Sequence, residues 1–426
     1  MTNVKNKKER LVPQLRFPGF VGNWTNDKFK NLTKINQGLQ IPIEDRYEQQ
    51  IEGSFFYITN EFLKKNSDKK YYILNPTESV LCNEDDVLMT RTGNTGQVVT
   101  NVSGAFHNNF FKIKFDREKI TKLFLVYFLR LYNTQKTILR FAGTSTIPDL
   151  NHSDFYRIDI PHPRLSEQQK IASFLSAIDQ RIRLLEQKKE ALERYKKGVM
   201  QKLFAQEIRF KDDQGNEFPD WEEKRLGEIG TTYNGLKGKS KDDFGEGTPY
   251  VQYLQVFNDS KVNPSGYGVV RVGEKEKQNT VRYGDVFFTT SSETANEIAM
   301  SSVFLGQETN IFLNSFCFGY RPKSLSILTP EFSRYLFRSD LFRKNVIKLA
   351  QGSTRFNLSK SSFLNLIVLI PVKQEQIKIA SFLSNIDSSI ESINKKIKKV
   401  KEYKKASSAQ KGKKQTDGEE ILIMNF

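Results

Sequence analysis

The side chains able to do chemistry fall in patterns that build no catalytic site. Two cysteines, Cys82 and Cys317, lie in opposite halves of the chain, and three histidines, His107, His152 and His162, are scattered. That supply makes neither a disulfide framework nor a zinc cluster. Gly238-Lys239-Ser240 ends like a phosphate loop, but Tyr233 stands where the loop needs its first glycine, so the backbone nest does not form. Pro219-Asp220 with Glu222-Glu223-Lys224 has the residue types of a nuclease metal site, yet these groups are nearly contiguous instead of spread over two adjacent strands. Asn75-Pro76-Thr77 and Asn263-Pro264-Ser265 lack the second proline and aromatic of an amino-methyltransferase motif, and no glycine-rich loop resembles an S-adenosylmethionine pocket. Glu84-Asp85-Asp86 and Asp242-Asp243 read as exposed loops. Neither a catalytic residue nor a metal site is expected.

Charge points elsewhere. Sixty-six Lys and Arg against 49 Asp and Glu give a net charge of +17, which favours a polyanionic partner, nucleic acid ahead of lipid. Charge alone does not separate DNA from RNA. The bland alternative is a solvated surface with a lysine-rich tail.

Reading bases takes donors and acceptors on loops, while cations and small polar groups hold phosphates. The leading candidate is Thr90-Arg91-Thr92-Gly93-Asn94-Thr95-Gly96, where Arg91 is suited to guanine or phosphate and Asn94 to adenine. Thr92 and Thr95 go with them. Its counterpart, Thr290-Ser291-Ser292-Glu293-Thr294, shares placement but not chemistry. Gln37, Asn60, His107, Asn108 and Asn109 are weaker candidates, as are Asn234, Lys237, Lys239, Gln252 and Gln255. Thr144 and Ser145 after Gly143, and Ser353, Thr354 and Arg355 after Gly352, recur at equivalent places and suit phosphate contacts. Each of these segments also reads as an ordinary loop.

The elements that would position these residues come as a duplicate. Glu167 to Ile182 reads EQQKIASFLSAIDQRI and Glu375 to Ile390 reads EQIKIASFLSNIDSSI, three-quarters identical at an offset of about 208. The same offset aligns Leu150-x4-Phe155 with Leu358-x4-Phe363. Ile160-Pro161 is matched with Ile370-Pro371, and Phe17-Pro18 through Trp24 with Phe218-Pro219 and Trp221. One unit of about 200 residues is therefore written twice.

The first part of each unit mixes strand-like runs (Phe55 to Thr59, Asp86 to Thr90, Asn109 to Phe115; Tyr250 to Val256, Asp285 to Thr290, Ile311 to Tyr320) with helical patterns at Lys119 to Phe141 and Pro330 to Ala350. The second part is helical. Ile171, Leu175, Ile178, Ile182, Leu185 and Leu192 form one seam, and Ile379, Leu383, Ile386, Ile390, Ile393 and Ile397 another, at coiled-coil steps of three and four. The two helices pair with each other or pack separately on their own domains. If paired, they run antiparallel, since one leads into the second domain and the other leads back.

The expected fold is α+β: two similar globular domains separated by an antiparallel coiled coil of two long helices, pseudo-twofold symmetric. A basic extension covers 1–14, the first domain 15–165, the central helix 166–208, the second domain 209–372 and the distal helix 373–405. A lysine-rich tail over 406–426 is expected to be disordered, because the apolar register lapses after Val400. The longest apolar run, Leu364 to Ile370, is far short of the roughly 20 residues of a membrane span, and Met1 to Arg10 lacks a signal-peptide core. The expectation is a cytoplasmic protein with no membrane partner.

The repeated EQxKIASFLSxID helix, flanked by the Phe-Pro and Trp segments, resembles the specificity subunit of Type I restriction-modification systems over about residues 15 to 403. The resemblance implies two target-recognition domains, each reading half of a bipartite site in double-stranded DNA. It also implies helices that set the gap between half-sites and dock two modification (methyltransferase) subunits. Adenine methylation with S-adenosylmethionine, and ATP- and Mg-dependent translocation and cleavage by restriction subunits, would belong to those partners. No cofactor is expected in this chain. The lapse of the distal seam departs from the family pattern and puts the far end of the helix pair in question.

Overall fold

The computed structural model describes residues 16–64, 67–143 and 146–408. Leu185–Lys396 forms one compact unit and the rest of the chain the other. The basic extension at 1–14, most of the 406–426 tail, Thr144 and Ser145 lie outside the described residues.

In the first unit a four-stranded sheet runs in the order Thr33–Gln37, Phe110–Phe115, Val87–Thr90, Val98–Thr100, all antiparallel. Its strands are short apolar runs, and Phe29, Val87, Met89, Phe111, Ile113, Leu125, Leu129 and Phe155 fill its core. A second four-stranded sheet carries Tyr71–Leu74, Ser54–Ile58, Gly104–Phe106 and Leu81–Cys82. The helical pattern at Lys119 to Phe141 resolves into Lys122–Arg130 and Tyr132–Ala142, broken where Leu131 turns extended. The second unit repeats the plan: Gly230–Asn234, Cys317–Pro322, Val286–Thr289 and Ser301–Val303 form the matching sheet. Phe288, Phe318 and Phe363 pack together at its centre, with centroids 4.7–5.4 Å apart.

Three expectations within the globular parts need correction. Tyr250 to Val256 is not one strand: the strand ends at Val251, and Tyr253–Asn258 is a helix burying Val256. Ile311 to Tyr320 splits into Phe312–Leu313 and Cys317–Pro322, because the Asn314 carboxamide accepts the Phe316 N–H and turns the chain. The Ile-Pro alignment is two residues out. Asp159–His162 pairs with Thr25–Lys28 as Ile367–Ile370 pairs with Glu222–Arg225, so His162-Pro163, not Ile160-Pro161, corresponds to Ile370-Pro371.

The central helix spans Leu165–Phe204 and the distal helix Lys373–Ser408. Their duplicated sequence has a definite job, to dock each globular domain on the start of its helix. Gln168 is fully buried; its amide donates to Lys119 O at 2.7 Å and Pro163 O at 2.9 Å, and its carbonyl accepts Thr121 N–H at 2.9 Å. Gln376 does the same with Ile327 O, Pro371 O and Thr329 N–H. Every partner is displaced by 208.

The preceding glutamates receive the chain's lead-in segments. Glu167 holds Arg16 in a two-pronged pair and the Trp24 indole, and Glu375 holds Arg209 and the Trp221 indole. Phe17 meets Phe174 edge-on as Phe210 meets Phe382. The counterpart of Arg16-Phe17 is therefore Arg209-Phe210. Phe218 keeps only the cation contact, lying under Lys378 as Phe17 lies under Lys170.

Along the seams Leu175, Ile178, Ile379, Leu383, Ile386, Ile393 and Ile397 are buried, while Ile171, Ile182, Leu185, Leu192 and Ile390 are partly so. In the second unit Lys196 pairs with Asp387 and, further along the chain, Arg209 with the earlier Glu375, so these stretches run antiparallel. In the first unit contacts continue past Val400: Tyr403 meets Phe174 edge-on and Lys404 pairs with Asp179. The lapse of apolar register thus leaves the last turns packed.

Candidate nucleic-acid interface

Three segments of the first unit reach one edge of its main sheet. Thr33–Gln37 and Val87–Thr90 end there and Phe110–Phe115 begins there, since Gln37 lies opposite Phe111 and Thr90 opposite Phe110. Close packing of that edge requires Gly38, where a Cβ would sit 2.0 Å from Phe106 O.

The edge is a continuous polar network. Arg91 N–H donates to Asn109 O at 2.7 Å, and Arg91 O accepts Leu150 N–H at 2.9 Å. The Arg91 guanidinium lies over the Phe111 ring and donates to Asp149 at 2.6 Å, while its buried Nε has no hydrogen-bond partner among the described residues. Thr92 donates to the other Asp149 oxygen, and the Asn60 amide donates to Thr92 O at 3.3 Å. Gln37 donates to Asn108 O, and Asn108 to Gln40. His107 accepts Asn109 N–H through Nδ1 at 3.1 Å. Burial first, and then the Arg46 charge, push the His107 imidazole down to about 4.

The structure thus brings together Gln37, Asn60, Arg91, Thr92, His107, Asn108 and Asn109. Asn94 is exposed beside Gly93, which turns with φ +85°. Thr95 faces inward, donating to Arg91 O and Pro148 O.

The second unit builds the same edge. Asn234 lies opposite Phe318 and Thr289 opposite Cys317, and a Cβ on Gly235 would meet Asn314 O at 2.1 Å. Thr290 N–H donates to Phe316 O at 2.9 Å and Thr290 O accepts Leu358 N–H at 3.0 Å. Thr290 therefore takes the place of Arg91, Phe316 that of Asn109 and Asn357 that of Asp149. The backbone is kept between the two halves while the side chains change from an ion pair to neutral groups.

Phe316 is exposed, with the Arg355 guanidinium 5.8 Å over its ring. Ser353 and Thr354 are exposed in the same loop. Asn234 accepts from Lys360, and Lys239 is spent on Glu276 at 2.6 Å, which holds that carboxyl down to about 2.

Four other expected contacts serve the fold. Ser291 and Ser292 are buried in a two-stranded ladder with Phe356–Asn357. Gln252 donates to Gly266 O and Gln255 accepts Asn263 N–H, so both brace the 263–266 turn. Sequence reading missed Asp149, His152, Phe316 and Lys360. The signal was available in the 208-residue offset, which pairs Asp149 with Asn357 and His152 with Lys360.

A family model for the Type I restriction modification DNA specificity domain matches residues 22–194 and again 219–402. The chain belongs to that family. It carries two DNA specificity domains, each matched segment taking in one globular part and helix beyond it.

Over 377 residues the specificity chain is 26% identical to the Type I restriction enzyme MjaVIII specificity subunit of Methanocaldococcus jannaschii, covering 84% of this chain and 85% of that one. A putative MjaX specificity subunit of the same organism is 30% identical over 171 residues, covering 37% of this chain and 40% of that one. The fold is similar to that of a Type I restriction-modification S subunit from M. genitalium, with TM-score 0.56, 18% identity, and coverage of 94% of this chain and 98% of that one. A chain from a study of Type I system assembly and conformational transition gives TM-score 0.55 at 18% identity, covering 93% and 98%. Among the described residues no helix is long and apolar enough to cross a membrane.

Proposed function

We propose that each domain reads one half of a bipartite target in double-stranded DNA, and that the chain directs partner subunits without catalysing a reaction itself. One observation carries this reading: two sheet edges with the same backbone hydrogen bonds present different side chains, Arg91 and Asp149 in one, Thr290 and Asn357 in the other. Side chains carry base information, whereas a scaffold that only held phosphates would have no reason to diverge at its tip. In this reading the long helices set the gap between half-sites and dock two modification subunits, which methylate adenine with S-adenosylmethionine. Restriction subunits add ATP- and Mg-dependent translocation and cleavage, and the complex works in the cytoplasm.

Sequencing methylated DNA from cells that hold the partner modification subunits, with and without this chain, tests the proposal. A gapped two-part methylated motif should appear only when the chain is present. A continuous motif, or one indifferent to the chain, would contradict it.

A further inference from the structure

Lys360 opens the short helix Lys360–Leu364, with Ser359 as its cap. Its ammonium is half-buried and donates to the Asn234 carboxamide at the sheet edge. Lys237 lies three residues beyond Asn234, and its backbone is gripped on both sides by Gln278: N–H to Oε1 at 3.1 Å and Nε2 to O at 2.9 Å. Neither lysine makes an ion pair among the described residues. Glu276, the carboxylate joined to this segment through Gln278, is occupied by Lys239. Burial, and then the Lys237 charge, pull the Lys360 ammonium below the ordinary lysine value. Lys360 is thus held at the Asn234 amide, and Lys237 on the segment that follows it, each without an ion-pair partner among the described residues.

The first domain is built differently at the matching place. His152, displaced by 208 from Lys360, opens the matching helix His152–Tyr156 and packs on Phe111 at 4.8 Å. Its imidazole is also lowered, by burial and then by Arg91. There Asp149 pairs with Arg91; in the second domain both of those places are neutral, Thr290 and Asn357, and the cation stands at Lys360 instead, with no carboxylate supplied by either place. The uncompensated pair asks for an anion from outside.

We propose that Lys360 and Lys237, positioned by Asn234 and Gln278, hold a backbone phosphate of the DNA bound by the second domain. The proposal rests on the reading of that domain as a DNA reader. It assigns these lysines to positioning, since a phosphate carries no base identity.

The test uses the full chain assembled with its modification partners. Affinity is measured across a salt series for a duplex bearing the methylated motif and for a scrambled duplex. Lys360→Met and Lys237→Gln should each weaken both duplexes by the same factor. With both lysines substituted the slope of log affinity against log salt should become shallower by about 0.9, the one phosphate being no longer neutralised, and each single substitution should make it shallower by less. Lys360→Arg should restore the slope. An unchanged slope in both substitutions, or a changed motif preference, would overturn the proposal. Lys237 is exposed, so its substitution decides the matter even if Lys360→Met fails to fold. Failure of the broader reading looks different: the unsubstituted complex would bind both duplexes equally, whatever the lysines do.

Discussion

Lys196 on the central helix donates to Asp387 on the distal helix at 2.6 Å, and Asp387 also receives the Tyr335 hydroxyl at 2.9 Å and Arg334 at 2.7 Å. Displaced by 208, Asp179 receives Lys404 and the Tyr127 hydroxyl. In both units a carboxylate on one helix joins the other helix to the globular domain. Removing Asp387 takes the shared acceptor from three donors in a part-buried site, of which Arg334 keeps Ser260 and the Tyr335 oxygen. Asp387→Ala should therefore lower stability by about 2–4 kcal/mol, read from urea unfolding, and Asp179→Ala by less because Val126 stands where Arg334 does. Equal, negligible losses would remove the junction from the account.

Glu375 is fully buried, makes the two-pronged pair with Arg209 and also holds the Trp221 indole. Glu375→Ala leaves a largely buried guanidinium without its main charge partner, which costs about 3–5 kcal/mol. Limited proteolysis should cut the 205–220 segment faster in that variant. Unchanged cutting would show that the lead-in is held by other contacts.

His107 gives a pH signature. Its folded pKa of about 4 lies below the ordinary 6.5, so the folded chain binds fewer protons than the unfolded one. The stabilisation is complete above pH 6.5 and is lost as pH falls toward 4. At about 1.4 kcal/mol per unit the full shift is about 3.5 kcal/mol, and solvent screening of this part-exposed ring brings the loss to on the order of 2–3 kcal/mol. Protonation would also remove the Nδ1 acceptor for Asn109 N–H. His107→Gln should flatten this part of the stability profile. A slope identical to the unsubstituted chain would contradict the assignment.

The repeat made most of the architecture legible, because an offset of 208 is visible wherever identical residues do the same job, as Gln168 and Gln376 do. Its limits are equally physical. Proline and phenylalanine near Phe218 matched by residue type, but the aromatic contact had moved to Phe210 across an insertion. At the candidate interface, residue type located the edge yet not the direction of its side chains. Thr95, Ser291 and Gln255 carry the same groups as exposed readers, and only packing shows that they point inward. Phe316 and Lys360 escaped notice because an isolated aromatic or lysine carries no spacing signal. They become visible once Asn109 and His152 are found in the matching places.

The most direct test of one half-site per domain is to replace residues 215–372 with the corresponding domain of a relative and sequence the DNA methylated by the complex. The account predicts that one half of the motif changes while the other half stays as it was. A motif altered in both halves, or in neither, would contradict it.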